Sequence, residues 1–218
     1  MVKVKIQSAA IVVLSASNNP RLLNADFLKR HQIVPDKWVV IDTLVTPPFA
    51  QVMFENGMQV LVEENRLHFQ ANRPADFSWE EELPMVAVAY MRLLPHVNYG
   101  GVGLNFTYTS DEPYGEAAEE AILHKLLKSG HWLKCGAGIT GAVIELQYRK
   151  DLPQMNVKIG VLESAGPEGK KLEGLIFNVN FHHDFKVDQQ EERAAYVRSI
   201  GVRQKEFFNF LETLPFNE

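Results

Sequence analysis

The chain has 218 residues, 46% of them apolar and 22% charged, with a formal net charge of −5 at pH 7. A chain of this size buries a full hydrophobic core without disulfides or metals, and its composition excludes intrinsic disorder. The acidic balance argues against nucleic acid, which is ordinarily met by a basic face. The one cysteine, Cys135, forbids an internal disulfide and predicts a reducing compartment, the cytoplasm. The start Met1-Val2-Lys3-Val4-Lys5 lacks the apolar block of a signal peptide. Ile11 to Leu14 is too short to span a membrane, and no other segment approaches about 20 apolar residues. The expectation is no membrane association.

In chain order, Val2 to Leu14 is β-branched and reads as a buried strand. Asn24 is placed to cap a short helix from Ala25 to about His31, with Asp26 in its first turn. Trp38 to Val45 is a strand stopped by Thr46-Pro47-Pro48. Ala50 to Glu55 and Met58 to Glu63 flank Asn56-Gly57, which predicts a two-residue hairpin turn with positive φ at both positions. Arg66 to Ala71 completes a meander. Ser78-Trp79-Glu80-Glu81 matches a capping box, and Leu83, Val86, Ala87, Tyr90, Met91 and Leu94 form a helical stripe. Pro84 sits too deep for the first turn and predicts a kink or a loosened first turn.

Val97 to Thr109 returns to strand, and Gly115 to Lys128 reads as a helix with Gly130 as its C-cap glycine. Strands follow at about 139–149, 156–162 and 172–181, separated by Asp151-Leu152-Pro153 and the loop Ser164 to Lys171. Asp188-Gln189-Gln190-Glu191 resembles a capping box and opens one long final helix, with Gly201 inside it marking a close approach to the sheet. Strands occur in runs, which predicts an α+β fold: a largely antiparallel sheet packed by three longer helices and one short one. Three strands then a helix occurs twice, at about residues 50–94 and 139–214, without residue identity between the copies. The expected organisation is one domain over residues 1–218, or two intertwined halves of about 1–130 and 131–218.

Few motifs carry chemistry. Gly136-Ala137-Gly138-Ile139-Thr140-Gly141 spells GxGxxG, but a helix precedes it and a strand follows. A dinucleotide site needs the reverse order, with the pyrophosphate at a helix N-terminus, so no cofactor is expected. Gly166 to Lys171 lacks the first glycine and the hydroxyl residue of a phosphate loop. His182, His183 and Asp184 are the densest set of potential metal ligands, with His124 or His131 as partners in space. Adjacent histidines on a strand point to opposite faces, so both meet one ion only at a bend. His124, Lys125, Lys128, His131 and Lys134 form a local basic stretch beside Trp132, accounted for as cations at a helix C-terminus. Cys135 has only Lys134 beside it to lower its pKa, too little for a nucleophile.

The stretch Asn19-Pro20-Arg21-Leu22-Leu23-Asn24-Ala25-Asp26-Phe27-Leu28, with Ile33-Val34-Pro35-Asp36-Lys37-Trp38, resembles the N-terminal pattern of an uncharacterised bacterial protein family of unknown function. Tyr99-Gly100-Gly101-Val102-Gly103-Leu104-Asn105-Phe106 is similar to a glycine-led strand of such families. The resemblance implies no activity and no site residues. The residues themselves predict a non-catalytic binding or assembly protein; the alternative is a metal-assisted hydrolase using His182, His183 and Asp184. A homodimer is expected, because sheet edges must be managed and Phe207, Phe208, Phe210, Leu211, Leu214 and Phe216 cover a wider arc than one helix stripe needs.

Overall fold

The computed structural model describes residues 2–72, 78–110, 118–128, 130–137, 139, 141–149, 153–165, 171–185 and 190–217. The strands are β1 (Val4–Ala16), β2 (Val40–Val45), β3 (Phe49–Phe54), β4 (Met58–Glu63), β5 (Arg66–Asn72), β6 (Asn98–Ser110), β7 (Ile144–Tyr148), β8 (Gln154–Ala165) and β9 (Lys171–Asp184). The helices are α1 (Ala25–Arg30), α2 (Trp79–Leu93), α3 (Ala118–Ala121), α4 (Gln190–Arg198) and α5 (Ile200–Glu212). All nine strands join one sheet in the order β2-β3-β4-β5-β1-β6-β9-β8-β7, and every pairing is antiparallel. The fold is α+β, as the strand runs predict.

The pleat divides the sheet into two unlike faces. Along β3, β4 and β5 buried and half-buried residues alternate without a break, the period-2 signature of a sheet with one covered face. Ile11, Val13, Phe69, Leu104, Phe106, Phe177 and Val179 point to the covered side and are almost wholly buried. The helices lie on that side. Tyr90 of α2 meets Phe69 with ring centroids 5.7 Å apart, Trp79 meets Phe106 at 6.1 Å, and Phe207 of α5 stacks on Tyr108 at 4.9 Å. Tyr196 of α4 stacks on His183 at 4.6 Å. The predicted stripe Leu83, Val86, Ala87, Tyr90 and Met91 is the buried face of α2.

In chain order β1, α1, β2–β5 and α2 are followed by β6, α3, β7–β9, α4 and α5. β1 pairs with both β5 and β6, and β9 stands beside β6 as β5 stands beside β1.

Several local expectations are corrected. The β3–β4 turn has three residues, not two: Gly57 N–H donates to the Phe54 carbonyl at 3.0 Å, and Gly57 (φ 85°) is left-handed while Asn56 is not. This is a type I turn closed by a left-handed glycine. Asn24 does cap α1, its side chain accepting from Phe27 N–H at 2.8 Å. Ser78, by contrast, makes no side-chain cap; its carbonyl accepts from the N–H groups of Glu81 and Glu82. Pro84 is buried within a helix that continues unbroken from Trp79 to Leu93. After α3 the chain widens into a π-helical turn, Ile122–Leu126, so the helix ends before Gly130. Gly130 has φ −162° and precedes a 3-10 turn at His131–Lys134 instead of closing a helix.

The final helix is two helices. Ser199 interrupts it, its hydroxyl donating to the Tyr196 carbonyl at 2.6 Å. Gly201 marks no close approach: an added Cβ would meet only Glu80 Oε2 of α2, at an ordinary contact distance of 3.7 Å, and no atom of the sheet within 4 Å. Phe207, Phe210, Leu211, Leu214 and Phe216 are buried within the one chain, and Phe208 keeps 38% exposure. The wide apolar arc of α5 is therefore taken up by the chain's own core. The predicted turns at Asp151-Leu152 and Gly166 to Lys170, and the Asp188 capping box, lie outside the described residues.

Gly57 carries a double constraint, since a Cβ there would also meet the Asn72 carbonyl oxygen at 2.5 Å. Gly57→Val is expected to cost about 1–3 kcal/mol from backbone strain alone, with the steric overlap added. Urea denaturation checks this; an unchanged midpoint would show that the turn relaxes freely.

Candidate functional site

Among the described residues no helix covers the second face of the sheet, and this helix-free face is chemically distinctive. Its side chains line up in rows across the strands, because antiparallel partners sit directly opposite one another. One row crosses all nine strands: Asp42, Met53, Gln59, Gln70, Ala10, Asn105, Asn180, Asn156 and Gln147. Six of those nine positions are carboxamides. A neighbouring row, two residues along each strand, reads Asn72, Ser8, Thr107, Asn178, Lys158 and Glu145. Antiparallel sheets often leave one face to water. Solvated surface is ordinarily rich in Lys and Glu. Here charge lies mostly toward the margins: Asp42 at the β2 edge, Lys158 and Glu145 on β8 and β7, Glu63, Arg66 and Asp184 along a third side, and Lys5 beside Thr109 on the fourth.

The amides are organised. Gln154 donates to Asn156 at 3.1 Å, Asn156 to Asn180 at 3.5 Å, and Asn180 to Asn105 at 2.8 Å. Asn105 donates in turn to the Gly103 carbonyl at 3.2 Å. Thr107 donates to Asn178 at 3.2 Å and Gln7 to Thr109 at 2.8 Å; Gln70 donates to Asn72. Each carboxamide has two donors and two acceptor sites, so these bonds orient the groups and leave hydrogen-bonding capacity facing outward. Gly103 lies under this network, where a Cβ would meet Asn180 Nδ2 at 2.8 Å. Between β6, β9, β8 and β7 the face dips into a shallow depression of about 440 Å³ lined by Asn105, Thr107, Asn156, Asn178, Asn180, Lys158 and Glu145.

The histidine cluster divides as the pleat requires. His182 is on the helix-free face, with Nε2 2.9 Å from Asp184 Oδ1. His183 is on the helix side, 8% exposed, with Nε2 3.6 Å from Glu192 and its ring against Tyr196. His182, His183 and Asp184 thus do not converge on one point. Among the described residues no three His, Cys, Asp or Glu side chains are grouped as a metal site would need. His124, Lys125, Lys128, His131, Lys134 and Trp132 are exposed around the π-helical and 3-10 turns, and Cys135 is an exposed free thiol. Gly136 is left-handed (φ 61°), and the residues described after it run through irregular chain into β7 without a helix N-terminus. A second depression, about 510 Å³, lies on the helix layer between α2 and α4, with Pro84, Met85, Val88 and Ala89 as its floor and Glu80, Glu81, Arg92 and Arg198 around it.

Sequence reasoning did not find the carboxamide row. Its trace is the spacing of amides and hydroxyls two apart, in Gln70-x-Asn72, Asn105-x-Thr107, Gln154-x-Asn156 and Asn178-x-Asn180. That spacing marks the polar half of each strand, but the row exists only once register is known. No family model matches the chain, and no curated protein matches it in sequence.

His68 sits on the same face between Val12 and Leu61. Burial pushes its pKa below the usual 6.5, Arg66 adds to the depression, and Glu63 opposes it. A depressed histidine contributes stability that is present above the unfolded-state pKa and is lost as pH falls through the folded-state value. Stability is therefore expected to fall below about pH 6.5, and His68→Gln is expected to flatten that slope. Denaturation midpoints for both proteins across pH 7.5 to 5 measure it; parallel curves would remove His68 as a source.

Proposed function

We propose that this is a non-catalytic binding or assembly protein that recognises its partner through the helix-free face of the sheet. The observation that carries the reading is the uncharged field of Gln59, Gln70, Asn72, Asn105, Thr107, Asn156, Asn178 and Asn180, held in register by its own hydrogen bonds. Such groups recognise by hydrogen bonding, and the one hydroxyl among them, Thr107, donates to the Asn178 carboxamide and not to a general base.

A phosphate backbone is a poor match for this face. Counterion release needs several Lys or Arg contacts, and single-stranded nucleic acid needs stacking aromatics; the two middle rows hold Lys158 and no aromatic ring. Among the described residues no helix is long and apolar enough to cross a membrane. The free thiol of Cys135 supports a reducing compartment, the cytoplasm. Assembly as a homodimer belongs to the same reading, since an uncharged face is one that two acidic chains can share.

The reading is tested on protein purified without added metal. Elemental analysis is expected to find no stoichiometric zinc or iron, chromogenic ester and phosphate substrates are expected to survive, and a fluorescent DNA duplex is expected to stay unbound at physiological salt. Stoichiometric zinc that is lost in His182→Ala together with hydrolysis would overturn it in favour of the metal-assisted hydrolase.

A further inference from the structure

We infer that the partner of the helix-free face is a second copy of this chain, seated face to face about a two-fold axis running along β1. The inference rests on the reading of that face as a recognition surface.

β1 is the fifth of nine strands, the middle of the sheet. Its outward residues are Ser8, Ala10, Val12 and Leu14, small in the centre and apolar toward one end, with Leu14 45% exposed. Beside them on β6 stand Gly101 and Gly103, which raise no side chain. The centre of the face is therefore low and apolar, and the taller amides stand on either side. An apolar centre within a polar surround is the anatomy of a protein–protein interface.

A rotation about an axis along β1 turns the carboxamide row end for end. Ala10 then faces Ala10 of the other copy, Asn105 faces Gln70, Asn180 faces Gln59, and Gln147 faces Asp42. Only Asn156 falls opposite an apolar residue, Met53. A carboxamide donates and accepts at once, so two such rows complement each other with no second surface required. Charge acts at the margins of this match: each chain carries −5, the middle rows meet largely through uncharged groups, and at the Leu14 end the same rotation sets Asp184 of one copy opposite Glu63 of the other, whose charge is offset by its ion pair with Arg66. Nine strands at about 4.8 Å, over the length from Ser8 to Leu14 at about 3.3 Å per residue, give on the order of 800 Å² of face, which is what each partner in a stable complex buries. Two twisted sheets pack in this way about 10 Å apart with strands nearly aligned.

The β2 edge is the competing surface, with Val39, Ile41, Leu44 and Val45 each about half exposed. It is a short strand with a register shift at Ile41, followed by Pro47-Pro48. Such features blunt an edge against pairing.

Sedimentation of the full chain from about 1 to about 100 μM, the range of modest association constants, tests the inference. The expected result is a dimer. Asn105→Asp with Asn180→Asp buries uncompensated carboxylates against Gln70 and Gln59 of the other copy and is expected to weaken the dimer at least about tenfold. Val12→Arg, which disturbs no hydrogen bond within the chain, is expected to do the same through bulk and charge at the axis. Ile41→Lys on the β2 edge is expected to leave the dimer intact. A monomer across the whole range overturns the inference, as does a dimer that Ile41→Lys dissociates while Val12→Arg leaves it whole. A monomer removes the homodimer from the functional reading as well, while the non-catalytic recognition reading fails separately, on zinc and hydrolysis.

Discussion

The ladder between β1 and β6 holds the structure together. Twelve residue pairs run from Val4 opposite Ser110 to Ala16 opposite Asn98, interrupted by two register shifts. On its other side β1 pairs with β5, and β6 pairs with β9. Without this ladder the chain would form two smaller sheets, each with one more open edge for water or another chain to occupy. With it, the inward residues of both halves, Ile11 and Val13 with Leu104 and Phe106, make one continuous floor for the helices.

That floor explains the asymmetry of the molecule. The helices bring their aromatic side chains to one face, where Tyr90, Trp79, Tyr196 and Phe207 each find a ring on the sheet. α2 and α4 are further tied by Arg92, 2.9 Å from Glu191; so exposed a pair contributes little energy beyond registering the two helices. Among the described residues the other face receives no helix, and its middle is mostly carboxamides and hydroxyls, with acidic and basic side chains toward its margins. A purely solvated face would be expected to carry more charge, and a buried one to carry fewer amides. The scarcity of charge on this uncovered face is why its function is read as recognition.

The histidine pair illustrates how the same pleat acts on chemistry. His182 and His183 are neighbours in the chain but belong to different surroundings: one is beside Asp184 on the open face, the other is packed between Tyr196 and Phe185 under α4. A dense string of ligand-type residues on a strand is thus divided between two environments, and density in sequence does not become density in space.

Local chemistry determined much of the fold. Period-2 alternation marked β3, β4 and β5, the Asn24 side chain set the start of α1, and the 3–4 spacing of Leu83, Val86, Ala87 and Tyr90 set the buried face of α2. These features follow from hydrogen bonds and side-chain directions within a few residues, so the sequence by itself was sufficient. Cap and turn details were less secure: Ser78, Gly130 and the Asn56-Gly57 pair each have the residue type of a motif whose geometry the surrounding packing did not adopt. The break at Ser199 and the burial of the α5 phenylalanines depend on where α2 and the sheet stand. Above all, the carboxamide row was decided only in three dimensions. Its members lie as far apart in the chain as Ala10 and Asn180, and a one-residue slip in any ladder would have sent its amides to the core. Strand polarity is written locally, but which polar residues become neighbours is a matter of long-range register, and only the assembled sheet specifies it.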